Sequence, residues 1–384
     1  MKSKLAIITS HPIQYNAPLF RLLQNRGMLD VKVFYTWGQT EKGFVYDPNF
    51  QQSFTWDIPL LDGYEKEFIP NTAKRPGSGH FNGIDNKDLI ERIDRYQPDA
   101  LLVFGWSFKS HLRVLRHYKG RKKIIFRGDS NLLDEGSGFS VKKILRRFFL
   151  SWVYRHVDTA LYTGAANKAY YLKHGLDEEQ LLYAGHAVEN ERFYDTDGSY
   201  EQAAAKWRTE LGIAADEQVF LFAGKLEPKK DPLLLLEAFQ QLNQSKSRLI
   251  FVGKGVLEET LQQKAAGDQR ILFLGFQNQQ QMPVVYRLGN VFVLPSKGPG
   301  ETWGLSVNEA LACDRPVLVS SKCGCAADLV EHGTNGLMFE AGNRDSLTAA
   351  MKQLIDIRFP IVSIRAVISR FQLQSVAEAI EKVV

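Results

Sequence analysis

The sequence predicts an α/β protein made of two doubly wound domains, each a parallel sheet with helices on both faces. Three observations point there. The chain has 384 residues, about twice the usual size of one hydrophobic core. Short apolar runs alternate with helical patterns, the rhythm of a parallel sheet covered on both sides. The rhythm occurs twice, on either side of the polar, turn-rich stretch Asp195-Thr196-Asp197-Gly198-Ser199.

In the first half, residues 5–9, 31–35, 101–104, 123–126 and 159–162 are short apolar runs that read as buried strands. Residues 17–24, 87–96 and 141–154 have helical spacing. Residues 36–84 read as a long irregular insertion. It carries Trp37, Phe44, Tyr46, Phe50, Phe54, Trp56, Tyr64, Phe68 and Phe81, and its glycine-rich tip lies at residues 76–79. So many aromatics favour packing over disorder. In the second half, residues 219–223, 248–252, 271–274, 291–294 and 316–320 read as strands. Residues 232–243, 258–266, 282–287 and 305–312 read as helices, and 371–384 as a terminal helix. The expected domains are residues 1–192 and 205–362, with 363–384 packing back on the first.

Hydrophobic residues are 44% and charged residues 24% of the chain, near globular averages, which argues against a disordered chain, a collagen or a coiled coil. The net charge is only +5, but residues 109–155 hold thirteen Lys/Arg against three Asp/Glu. Within that segment Lys142, Lys143, Arg146, Arg147 and Arg155 alternate with Val141, Ile144, Leu145, Phe148, Phe149, Leu150 and Trp152. Two readings stand. Either this is a basic amphipathic helix lying on anionic lipid, or it is a domain helix with its apolar face on the sheet and its cations in water. Nucleic acid is not an expected partner, because no recognised binding module is present.

Three cysteines, Cys313, Cys323 and Cys325, are too few for a disulfide framework and fit a reducing cytosol. Cys323-Gly324-Cys325 has no second pair to complete a zinc site, so a structural role is expected. Asp195 and Asp197 form a D-x-D, a pattern able to bind a metal, but in a linker it reads as a turn. No run approaches the ~20 apolar residues of a membrane span, and the N-terminal apolar run is too short for a signal peptide. The expected location is cytoplasmic, in solution or on the inner face of a membrane.

In an open parallel sheet, ligands bind beyond the carboxyl ends of the strands. Two such domains facing each other would enclose a cleft there. The strongest signal follows strand 291–294: Gly300-Glu301-Thr302-Trp303-Gly304-Leu305-Ser306-Val307-Asn308-Glu309. Glu301 falls in a loop. Gly304, Leu305 and Ser306 put free amides at a helix start, a ready site for a diphosphate. Glu309, further along the helix, suits ribose hydroxyls; the alternative is an ordinary acidic helix. After strand 219–223 come Gly224 and Lys225, then Lys230. Gly224 allows close backbone approach, and the two lysines either neutralise a diphosphate or form a solvated basic turn. Gly253-Lys254-Gly255 is a weaker signal, also readable as a tight turn. Neither a P-loop nor a full dinucleotide fingerprint is present.

These pieces, in this order, resemble the retaining glycosyltransferases of family 4 (glycosyl transferases group 1), which adopt the GT-B fold. Glu301 and Glu309 match that family's E-x7-E pair, and Gly224-Lys225-Leu226 with Lys230 matches its basic clamp. Gly253-Lys254-Gly255, Leu274-Gly275-Phe276 and Pro295-Ser296 match its nucleotide-side turns, and residues 328–337 and 186–193 match flanking segments. The resemblance covers residues 180–345 well and the rest weakly. It implies a nucleoside diphosphate sugar donor, UDP- or GDP-linked, and transfer with retention of configuration. No metal or other cofactor is implied. Glu301 is implied to hold the transferred sugar, Glu309 the ribose, and Lys225, Lys230 and the amides of Gly304–Ser306 the diphosphate.

The chain departs from the family at Asp314, where a glycine is usual, and more strongly in its first half. The glycine pair after the first strand is replaced by residues 9–16, which include His11, Tyr15 and Asn16. The catalytic-side His after the fourth strand is missing. Arg127 or Asp129 takes its place; a carboxylate there guides an acceptor proton or merely caps a loop. Trp106 follows the third strand and either stacks on a sugar or packs under the loop. The expected function is a hexosyltransferase acting on a glycan or lipid-linked acceptor in surface polysaccharide or glycolipid assembly. A sugar phosphorylase, a nucleotide-sugar epimerase and a non-catalytic sugar-nucleotide-binding membrane scaffold are the alternatives.

Overall fold

The computed structural model describes residues 2–38, 45–47, 52–136, 138 and 140–384, without the side chains of 45–47 and 52–54. Phe44 and Phe50 lie outside the described residues, as do the side chains of Tyr46 and Phe54. The chain divides into two compact units. The first comprises Met1–Val45, Ile58–His186 and Leu373–Val384, and the second Tyr46–Asp57 and Ala187–Gln372.

In the first unit the elements run β1 (Ser3–Thr9), α1 (Ala17–Arg26) and β2 (Leu29–Tyr35). The short strands β3 (Val45–Asp47) and β4 (Gln52–Phe54) then pair as a two-stranded sheet, most of which groups with the second unit. The first unit resumes with β5 (Glu65–Phe68), α2 (Leu89–Tyr96), β6 (Ala100–Phe104), α3 (Lys109–Tyr118) and β7 (Lys123–Arg127). It continues through α4 (Val141–Tyr154), β8 (Thr159–Tyr162), α5 (Ala165–Lys173) and β9 (Leu181–Tyr183). Seven strands form one parallel sheet in the order β5-β2-β1-β6-β7-β8-β9.

The second unit runs α6 (Ser199–Glu210), β10 (Gln218–Ala223), α7 (Pro232–Leu242), β11 (Ser247–Val252), α8 (Glu258–Ala265) and β12 (Ile271–Leu274). It goes on through α9 (Met282–Leu288), β13 (Val291–Leu294), α10 (Leu305–Ala312), β14 (Val317–Ser320), α11 (Ala326–Leu329) and β15 (Gly336–Phe339). It ends with α12 (Arg344–Asp356) and α13 (Ile361–Ile368), after which α14 (Leu373–Lys382) rejoins the first unit. Its sheet is also wholly parallel, in the order β12-β11-β10-β13-β14-β15. Both units have the doubly wound α/β class the sequence predicts, and α13 falls in the second unit, so only residues from Leu373 on group with the first.

Burial explains why the central strands were readable. Leu5–Ile8, Leu101–Val103 and Val219–Phe222 are wholly buried, as strands covered on both faces must be. The insertion at 36–84 is less irregular than its sequence suggests. It holds β5, a parallel edge strand of sequence Glu-Lys-Glu-Phe whose first two residues are exposed. A charged edge strand carries no apolar run to reveal it. The insertion's Tyr64 packs on the core: its hydroxyl lies 2.6 Å from that of Tyr35 and donates to the Leu60 carbonyl. The terminal α14 is pinned to α1 by a forked pair from Arg26 to both oxygens of Glu381, at 2.8 and 2.7 Å.

Two sequence oddities resolve into turn chemistry. Asp195 accepts from the amides of Tyr200 and Glu201, and Asp197 from that of Ser199, so the D-x-D caps α6. Asp314 stands at φ +59, a conformation glycine adopts more easily, and its carboxylate takes a forked pair from Arg365.

Candidate functional site

The second sheet grows outward from β10 to β12, then reverses so that β13 lies on the other side of β10. The point between β10 and β13 is the switch point at which such sheets take ligands. Two loops leave it, 224–231 after β10 and 295–304 after β13. Lys230 Nζ from the first lies 2.5 Å from Glu301 Oε2 in the second. Ser296 Oγ donates to the same oxygen at 2.9 Å. Glu301 is only 7% exposed, and a carboxylate so buried must be paired. The loops are tied again where Lys297 reaches Asp231 Oδ1 at 3.0 Å and the Lys297 amide donates to the Lys229 carbonyl. Lys225, directly after Gly224, is half-buried at the strand exit.

Helix α10 begins at the same place. Its cap, Gly304, has φ +102, and a Cβ there would meet Leu294 Cδ2 at 2.8 Å and sit 3.8 Å from Glu301 Oε1. A side chain there is strained by the positive φ and has to push the Leu294 side chain aside. The first-turn amides of α10 belong to Leu305 and Ser306. Ser306 Oγ is buried and has no hydrogen-bond partner among the described residues. Such an orphan at a helix start fits a bound oxyanion. Glu309 is 2% exposed, and its Oε2 accepts from the Tyr286 hydroxyl at 2.6 Å. Trp303 Nε1 donates to Asn308 Oδ1 at 2.8 Å, which fixes the turn into the helix.

The cysteines brace this loop. The amides of Gly324 and Cys325 donate to the carbonyls of Glu301 and Trp303. All three thiols are buried and unpaired, and burial pushes that of Cys313 up to about 12. They are inert packing groups. Among the described residues, no three His, Cys, Asp or Glu side chains gather into a metal site.

Gly253 has a constraint the sequence did not suggest. A Cβ there would come within 2.1 Å of the Gly224 carbonyl oxygen, and at Gly255 within 2.5 Å of that of Leu226. The Gly253-Lys254-Gly255 turn is therefore glycine-bound because its backbone lies against the 224–226 backbone, to which it is hydrogen-bonded through Leu226 N and Lys254 O. Gly224 itself has φ +156.

The first sheet has its own switch point, between β1 and β6. His11 follows β1 and Trp106 follows β6. His11 Nδ1 lies 2.9 Å from Ser10 Oγ, and burial lowers its pKa, leaving the ring neutral near pH 7. Tyr15 is half-buried, and Asn16 caps α1 by its backbone carbonyl, which accepts from Phe20 N. Trp106 packs edge-on against Phe149 of α4, with ring centres 5.4 Å apart. Arg127 differs from the acceptor-facing role expected for it. It is 6% exposed, and its guanidinium donates to the carbonyls of Ala184 and Gly185 at 2.8 and 3.3 Å. That ties the end of β7 to the segment after β9. Burial lowers it to about 10, so it stays charged.

Asp129 acts electrostatically on both Arg127 and His186. His186 was missed as a site candidate, although it follows a strand. That strand, β9, has three residues and one exposed tyrosine, too little to recognise. Tyr286 and Lys297 were likewise missed, being ordinary helix and loop residues until the fold brings them to Glu309 and Asp231, and Ser296 was read only as part of a turn.

Residues 204–366 match the family Glycosyl transferases group 1. The second unit belongs to this family. The D-inositol 3-phosphate glycosyltransferase of Mycobacteroides abscessus is 32% identical over 163 residues, 40% of this chain and 35% of the relative. The UDP-Gal:alpha-D-GlcNAc-diphosphoundecaprenol alpha-1,3-galactosyltransferase of Escherichia coli is 30% identical over 154 residues, 38% of each chain. This chain thus matches less than half the length of these glycosyltransferases. Over the whole length the likeness is one of fold. HepE of Anabaena, solved with UDP and glucose, superposes with TM-score 0.69 at 18% identity, covering 99% of this chain and 98% of that one. The architecture is GT-B.

Proposed function

We propose that this chain is a retaining glycosyltransferase that moves a sugar from a nucleoside diphosphate sugar, UDP- or GDP-linked, to a glycan or lipid-linked acceptor in surface polysaccharide or glycolipid assembly. The observation that carries this reading is the meeting of Lys230, Glu301, Ser296 and the start of α10 at one switch point. Lys225, Lys230 and the amides of Gly304, Leu305 and Ser306 hold the diphosphate. Glu301 holds hydroxyls of the sugar, and Glu309 those of the ribose. The acceptor oxygen bonds to the anomeric carbon as the bond to the diphosphate breaks. The electron pair leaves on the phosphate oxygen, which also takes the acceptor proton on the same face of the sugar. Negative charge grows on the diphosphate, so the fixed cations stabilise the transition state more than the ground state. No metal is needed for that.

On the acceptor side we place His11, Tyr15, Asn16, Trp106 and Asp129 of the first unit, with Asp129 guiding the acceptor hydroxyl. The lipid-linked acceptor named for the Escherichia coli relative, and the UDP and glucose in the HepE structure, support this reading. An anionic membrane on the cytoplasmic side is the proposed workplace. Among the described residues no helix is long and apolar enough to cross a membrane.

The test is nucleotide release from UDP- and GDP-sugars over a panel of glycan and lipid-linked acceptors. Acceptor-dependent release that is lost in Lys230→Ala supports the assignment. Turnover without an acceptor identifies an epimerase, and turnover that needs inorganic phosphate identifies a phosphorylase.

A further inference from the structure

Helix α4 has two faces that do different things. Its buried residues are Leu150, Val153 and Tyr154, all in its last turns, and they join the core of the first unit. The earlier turns bury nothing. Val141 is 64% exposed, Ile144 40%, Leu145 64%, Phe148 72% and Phe149 42%. At 100° per residue these five fall on one stripe, at spacings of three and four, and that stripe lies opposite the buried face. A helix that merely covers a sheet turns such a stripe inward; here it turns outward.

Cations flank the stripe on both edges. Lys142 and Arg146 lie along one side and Arg147 along the other, while the same rotation turns Lys143 away from the stripe. Lys143 is held by the carbonyls of Gly136 and Gly138. Lys142, Arg146 and Arg147 form no ion pair among the described residues. Toward the helix end Arg116 and Arg155 both sit over the Trp152 ring, at 5.6 and 6.0 Å, and Trp152 packs on Phe149. The surface is thus a large apolar stripe with an aromatic end and a cationic rim. Of the three carboxylates in residues 109–155, Glu135 is paired with Lys173.

We propose that α4 docks this chain on an anionic lipid bilayer, with Val141, Ile144, Leu145 and Phe148 entering the headgroup boundary and Lys142, Arg146 and Arg147 on lipid phosphates. Charge decides the occupant. A second copy packed symmetrically on this stripe would bring two cationic rims together, whereas an anionic bilayer neutralises both edges and still buries the apolar residues. The inference specifies the surface for the membrane-side reaction proposed above. It rests on that reading only for the lipid-linked acceptor, and vesicle binding needs neither donor nor acceptor, so the two fail separately.

The experiment is flotation of the full chain with vesicles of phosphatidylcholine alone and with about one-third phosphatidylglycerol. Wild type floats with the anionic vesicles only, and raised salt weakens the binding. Leu145→Ser with Phe148→Ser lowers partitioning by at least about tenfold. Lys142→Glu with Arg146→Glu does the same through the charge. Both variants change exposed side chains and unfold at the wild-type temperature. The proposal is overturned if wild type fails to float with anionic vesicles, or if either double variant floats as wild type does. It is also overturned if light scattering shows a dimer that Leu145→Ser with Phe148→Ser abolishes while vesicles bind nothing.

Discussion

Lys230 and Glu301 meet 2.5 Å apart across two loops that leave neighbouring strands, β10 and β13, in one sheet. They are 71 residues apart in sequence. The fold brings them together because the order of strand addition reverses at β10 while the strands stay parallel, so the two strand exits become adjacent. Ser296 holds the same carboxylate oxygen, which leaves Oε1 on the side of Gly304 and the start of α10.

Removing the cation should therefore cost catalysis more than donor binding. Lys230→Ala is expected to lower kcat by about a hundredfold, the usual effect of deleting one preorganised group facing developing charge. Steady-state nucleotide release measures this. Since Glu301 would be left buried and unpaired, Lys230→Ala should also unfold at a lower temperature than Lys230→Arg.

The Tyr286 hydroxyl orients Glu309 at 2.6 Å. Tyr286→Phe keeps the ring and removes one hydrogen bond, worth about 1.5–3 kcal/mol to a charged acceptor. Donor KM should rise about tenfold with kcat little changed, because the ribose lies away from the bond that breaks. A fall in kcat at constant KM would remove Glu309 from nucleotide binding.

Gly253→Ala should fail for a different reason. Its Cβ would lie 2.1 Å from the Gly224 carbonyl oxygen, closer than any real contact, and φ there is +127. We expect loss of folded protein or a large drop in thermal midpoint, measured by circular dichroism. Gly267→Ala carries the strain of φ +88 but has nothing within 4 Å of its Cβ, so it should lose less.

Acid should loosen the first unit. Burial holds His111 at about 4, against an ordinary 6.5, with Nδ1 on the Phe104 carbonyl and Nε2 2.9 Å from Thr36 Oγ1. Burial also places His174 and His186 at about 4. The unfolded chain gains protons on these rings as pH falls through 6.5, and the folded chain only near 4. Their contribution is fully present above pH 6.5 and is lost as pH falls from there to about 4. For His111 this amounts to about 3 kcal/mol. Thermal midpoints across that window should fall with pH, and His111→Asn should flatten the slope whatever its effect on the midpoint itself.

Central strands such as β1 and β10 were legible because two-sided burial forces an unbroken apolar run. β5 and β9 were not, since edge strands need no such run. The E-x7-E pair was legible because its spacing is local. Tyr286 was not, nor was the bond from Ser296 to Glu301, because both come only from loops and helices that the sheet order sets side by side. Arg127's position after a strand suggested a ligand, whereas the structure shows its donors on the carbonyls of Ala184 and Gly185. For α4 the sequence left two readings open, and the exposure of Leu145 and Phe148 favours the outward-facing one.

The central claim is a nucleoside diphosphate site built on Lys230, Glu301 and the start of α10. Calorimetric titration of the full chain with UDP, GDP and ADP tests it most directly. One nucleotide should bind at one site per chain, and Lys230→Ala should weaken it at least about tenfold. No binding by any of the three, or equal binding by wild type and Lys230→Ala, would contradict it.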